Sequence, residues 1–116
     1  MNPGQIADRM EIVLTALDEM VDEMRTAGQE HAAAERKFKS RYAQARVEYR
    51  ATKRESSVKF TTDEVEDYAT IKTDELRFDA TLAQSTLSVC REALRVKEAE
   101  LDALRSMSAA LRGAGG

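Results

Sequence analysis

The sequence predicts an all-α fold: an antiparallel helical hairpin of two long helices, coiled-coil-like and assembled into an oligomer. Composition is the first observation behind this. Ala, Leu, Glu, Lys and Arg are abundant, 34% of residues are charged, 5% are aromatic and Trp is absent, which is the profile of long helices. The second is a run of apolar or small residues at alternating steps of four and three, the spacing of a coiled-coil seam. The third is that no stretch shows the alternation of a half-buried strand. A chain of 116 residues with so little bulky apolar material has a thin core of its own. Association with further copies is expected to supply the missing burial.

The first helix is predicted over residues 3–55. Asn2 serves as N-cap, Pro3 takes the first helical position, and Gln5 completes a capping-box pattern. The seam then runs Ile6, Met10, Val13, Leu17, Met20, Met24, Ala27, His31, Ala34 and Phe38. Tyr42, Ala45 and Tyr49 continue it after two successive steps of four, a stutter that locally unwinds a supercoil. Gly28 costs about 1 kcal/mol relative to Ala and marks a place for a kink or a division.

Residues 56–61 are the expected turn, since Ser56-Ser57 interrupts the pattern. Thr61-Thr62-Asp63-Glu64 reads as a second capping box, with Phe60 and Val65 at hydrophobic-staple positions. The second helix is predicted over about 62–111, followed by a flexible Gly-rich tail at 113–116. Together the two helices form a single domain over residues 1–112.

That second helix carries two apolar stripes. One comprises Leu76, Ala80, Ala83, Leu87, Cys90, Leu94, Leu101, Leu104 and Leu111; the other comprises Tyr68, Ile71, Phe78, Leu82, Val89, Ala93 and Val96. A hairpin partner covers only one narrow stripe. Tyr68, Ile71, Phe78, Leu82, Val89 and Val96 are therefore the predicted oligomer interface.

Few function classes survive the rest of the inventory. There is one His and one Cys, with no Gly-rich phosphate loop and no Glu-x-x-His pattern of bundle metal sites. No catalytic residue, cofactor or metal is expected. Asp18 with Asp22 and Glu19 with Glu23 read as a solvated acidic face, Cys90 as a small core residue, and His31 as an interior imidazole. The single Cys points to a reducing compartment. Apolar runs such as Ile12-Val13-Leu14 are too short to span a bilayer, and no secretory signal opens the chain. The expected location is cytoplasmic, without membrane attachment.

Charge is sorted into blocks. Residues 31–60 hold nine basic residues against three acids, whereas 61–79 hold seven acids against two bases, in a chain of net charge −3. With the seam facing inward, Lys39, Arg46, Arg50 and Lys53 share one flank of the first helix, with Arg36 and Arg54 just beyond and Lys59 and Phe60 at the hairpin tip. Such a stripe suits a nucleic-acid backbone, and Tyr49 or Phe60 offers a face to an unpaired base. The other reading has Arg50 paired with Glu66, Lys53 with Asp63 and Arg41 with Glu75 across the hairpin, as flanking charges lace coiled coils. Both remain open on the sequence alone.

The stretch Ala45-Arg46-Val47-Glu48-Tyr49 resembles the Ala-Arg-Leu-Asp-Tyr motif of UvsY-type recombination mediators of T-even phages. Glu30-His31 before the basic helix, and Asp74-Glu75-Leu76 with Leu82, Leu87, Cys90, Ala93 and Leu94 after it, are similar to the family's pattern in rhythm. Gln44 and Arg50 depart from it, and the Trp expected near Ala27 is missing. The resemblance implies a small helical oligomer that binds single-stranded DNA and helps load a RecA-like recombinase in phage recombination and replication, in the host cytoplasm. The recombinase and a single-strand-binding protein are the partners so implied. On this reading Arg36, Lys39, Arg46, Arg50, Lys53, Arg54 and Lys59 hold the strand, with Tyr49 or Phe60 stacking. The competing class is a structural or adaptor coiled coil, such as a phage assembly chaperone or an inhibitor of a host protein, with the basic stripe consumed by internal pairs.

Overall fold

A computed structural model of the protein describes residues 1–115. The regular elements in them are α-helices: α1 over Pro3–Glu55, α2 over Thr62–Lys72 and α3 over Asp74–Gly115. No strand occurs among the described residues, so the all-α class holds. So do the bounds of the first helix and of the turn that follows it.

Local chemistry explains where α1 begins and ends. The Asn2 backbone N–H donates to Gln5 Oε1 at 2.9 Å, and the Gln5 N–H returns a bond to Asn2 Oδ1 at 2.8 Å. Two otherwise orphaned donors are thereby satisfied. The helix runs without interruption through Gly28, so that residue does not divide it. At the far end the Val58 N–H donates to the Lys53 carbonyl at 3.0 Å and the Ser57 N–H to that of Arg54 at 3.1 Å. This is a Schellman closure. Its left-handed position falls to Ser57, whose φ is 55°, where Gly is usual.

Thr61 caps α2 in extended conformation, and its hydroxyl accepts from the Glu64 N–H at 3.2 Å. Only half of the predicted capping box forms. The Glu64 carboxylate instead accepts from the Tyr49 hydroxyl on α1 at 3.3 Å.

The expected continuous second helix is corrected: it breaks at Thr73, giving α2 and α3. Thr73 is fully buried, and its hydroxyl donates to the Ala69 carbonyl at 2.7 Å. A Thr hydroxyl bonded four residues back bends a helix, and here φ −112°, ψ 13° takes the residue out of helical geometry. The C-terminus also differs from expectation. Helix α3 continues past Leu111 to Gly115 rather than giving way to a flexible tail at Gly113. No described Gly adopts positive φ, and a Cβ at Gly113 would meet nothing within 4 Å. The helix therefore continues there with no stop signal to end it. Gly116 lies outside the described residues.

The packing has two compact units: Met1–Ala27 with the chain from Thr86 onward, and Gly28–Ser85. In the first, Ile6 and Val13 of α1 are buried against Leu101 and Leu104 of α3, with Met10 and Leu17 packed alongside. Arg9 Nε donates to Glu100 Oε1 at 2.9 Å, and Lys97 Nζ reaches Glu100 Oε2 at 3.0 Å. These two bonds hold the Glu100 carboxyl below its ordinary value, that from Arg9 being the larger cause. In the second unit the buried residues are small: Ala45, Val65, Ala69, Thr73 and Ala80. Small seam residues let helix backbones approach closely and leave large rings to the edges of the seam.

The two apolar stripes differ in burial. Ala80, Leu87, Leu101 and Leu104 are buried, whereas Ile71, Phe78, Leu82, Val89 and Val96 are exposed. Leu111, the last of the inward stripe, is exposed as well, because α3 there has run beyond the start of α1.

Candidate nucleic-acid interface

The basic run occupies the C-terminal part of α1 and the turn after it, all in the unit Gly28–Ser85. Arg36, Lys39, Arg54 and Lys59 are exposed, and Arg46, Arg50 and Lys53 are half-buried. Within the run, Lys39 Nζ lies 3.8 Å from Glu35 Oε2, and Arg41 Nη1 lies 3.2 Å from Glu48 Oε2. Among the described residues, Arg36, Arg46, Arg50, Lys53, Arg54 and Lys59 form no ion pair.

The three cross-hairpin pairs of the competing reading, Arg50–Glu66, Lys53–Asp63 and Arg41–Glu75, do not form. The reasons are geometric. Arg41 spans two turns of its own helix to Glu48, and the Lys53 ammonium sits 5.2 Å from the centre of the Tyr49 ring. Lys53 and Arg54 in the last turn of α1, and Asp63 and Glu64 in the first turn of α2, each suit the dipole of their own helix without touching one another.

Of the predicted stacking residues, Tyr49 and Phe60 come together at the tip of the hairpin. Their rings meet edge to face at 6.2 Å, and Tyr68 tilts against Tyr49 at 5.0 Å. Lys72 lies 5.5 Å from the centre of the Tyr68 ring. Tyr49 is thus engaged by Phe60, Tyr68, Lys53 and, through its hydroxyl, Glu64. Burial, then the neighbouring Glu64 charge and the hydrogen bond to it, push the Tyr49 hydroxyl above its ordinary pKa of 10.0. Tyr68, placed on the predicted oligomer face, belongs to this cluster and is half-buried.

No protein-family model matches the chain, and no curated protein and no solved structure does either.

Two residues that sequence reasoning assigned to the inward seam line open surface instead. Phe38 and Tyr42 are half-buried, their rings 6.1 Å apart and inclined by 50°. With Lys39, Ala43 and Arg46 they border a groove of about 530 Å³. The Arg46 guanidinium lies 6.0 Å from the centre of the Tyr42 ring, while its Nε is shielded from solvent and has no hydrogen-bond partner. The available signal was the stutter, which rotates the seam just after Phe38 and carries the aromatic pair toward the basic flank. Among the described residues no group of three or more His, Cys, Asp or Glu side chains is placed to hold a metal ion, and no helix is long and apolar enough to cross a membrane.

Proposed function

We propose that this protein is a single-stranded DNA-binding recombination mediator, which helps load a RecA-like recombinase onto the strand during phage recombination and replication. The observation that carries the reading is that six of the seven cations assigned to the strand, all but Lys39, make no ion pair among the described residues. Surface pairs contribute only about 0–1 kcal/mol each, so clustering bases for stability alone gains little. Unneutralised guanidinium and ammonium groups along one helix release condensed counterions from a polyanion. The similarity of Ala45-Arg46-Val47-Glu48-Tyr49 to the mediator motif supports the same reading and supplies the recombinase and the single-strand-binding protein as partners. The acidic N-terminal part of α1 and the acidic start of α2 are left for protein contacts.

A second reading, a structural or adaptor coiled coil acting on another protein, is favoured by the exposed residues Ile71, Phe78, Leu82, Val89 and Val96. In the mediator reading those same residues join copies of the chain.

Titration of a labelled single-stranded oligonucleotide at several salt concentrations separates the two. Six phosphate contacts give a slope of log affinity against log salt of about −4. Arg46→Glu with Arg50→Glu is expected to abolish binding while circular dichroism shows unchanged helicity. Absence of binding at low salt rejects the mediator and leaves the adaptor.

A further inference from the structure

We infer that the groove between Phe38 and Arg46 is a nucleobase-stacking subsite, in which Phe38 and Tyr42 receive the bases of a single strand while Lys39, Arg46 and Arg36 hold its phosphates. This deepens the mediator reading and rests on it. Phe38 and Tyr42 sit one turn apart on α1, so their rings share a face, and neither is sealed into the core. The groove they border is about 530 Å³, and Ala43 leaves its wall low. A second groove of about 530 Å³, bordered by Ala32, Glu35, Arg36, Lys39 and Ser40, shares Lys39 with the first. Aromatic faces and cations thus alternate along one rim of the helix, the pattern of sites that stack bases without reading sequence.

Arg46 makes the independent case. Its Nε is shielded from water with no acceptor, an arrangement that costs the full desolvation of a charged donor. Its guanidinium lies against Tyr42 and borders the groove, so a phosphate entering there meets a cation with no carboxylate partner among the described residues. The other aromatic residues of this unit's basic surface offer no such opening. Tyr49 is already packed by Phe60, Tyr68 and Lys53, and its hydroxyl is bonded to Glu64.

The test compares, on the full chain at low salt, an oligothymidylate with an abasic strand of the same length and charge. Stacking is worth about tenfold or more in affinity per base, so the thymidylate binds at least tenfold tighter. Phe38→Leu with Tyr42→Leu brings its affinity down to that of the abasic strand and leaves the salt slope unchanged. Tyr42→Phe, which keeps the ring and the fold, preserves affinity but removes the quenching of tyrosine fluorescence by thymidylate; Tyr49→Phe retains it. Equal binding of both strands by the native chain with a steep salt slope, or quenching that survives Tyr42→Phe, overturns the subsite and leaves DNA binding in place. No binding of either strand overturns both.

Discussion

Ser57 shows what a single residue contributes to this architecture. The Schellman closure of α1 needs a left-handed backbone at one position, and Ser57 holds it at φ 55°. A Cβ in that region costs roughly 1–2 kcal/mol, partly offset in Gly by the greater freedom of the unfolded chain. Ser57→Gly should therefore stabilise the protein by about 1 kcal/mol and raise Tm by about 4 °C in a thermal melt. A lowered Tm would show that the turn does not depend on this geometry. At the same scale, the Asn2–Gln5 exchange was readable from the sequence because donor and acceptor lie three residues apart on one chain segment. The destination of the Glu64 carboxylate was not, since Tyr49 reaches it from fifteen residues away. For the same reason the run of bases was plain in the composition, yet which of them lack a partner was not. Whether Lys53 meets Asp63 or the Tyr49 ring depends on rotamers and on the rotation of two helices about their axes.

Among the elements, α1 was the most readable, because a strong cap, an unbroken seam and a Ser-Ser stop all agree. The Thr73 break was hidden, since Thr is tolerated within helices. At Thr73 the side chain is fully buried and its hydroxyl bonds the Ala69 carbonyl. The pairing of α1 with α3 in the first unit has a pH signature of its own. Hydrogen bonds from Arg9, then Lys97, depress the Glu100 carboxyl in the folded protein. A depressed carboxyl stabilises the fold above its unfolded value and loses that contribution as pH falls through the folded value. The stability of the native chain relative to Glu100→Gln should thus be greatest at neutral pH and shrink below pH 4.5, the ordinary value of the group. Thermal melts of both proteins from pH 7 to pH 3 measure this, and a gap that does not change with pH would mean the carboxylate contributes no stabilising charge.

The apolar residues left exposed raise a question for the molecule as a whole. Ile71, Phe78 and Val89 are 75%, 67% and 68% exposed, and large exposed apolar side chains in number mark association surfaces. The expectation is that multi-angle light scattering gives a mass well above the 12.9 kDa of one chain, and that Phe78→Asp with Val89→Asp shifts it toward one chain without loss of helicity. A monomeric native protein would instead assign these residues to a different partner. The amino-acid order alone determined the helical class, the limits of α1, the intervening turn and the identity of the inward stripe. These follow from caps and periodicities that act within a few residues of chain. Only the packed structure decided the division at Thr73, the grouping of Tyr49, Phe60 and Tyr68, the opening beside Phe38 and Tyr42, and the absence, among the described residues, of carboxylate partners for six of the seven predicted strand-binding cations. Each of these depends on the rotation and separation of helices brought together from distant parts of the chain, which neither composition nor spacing encodes.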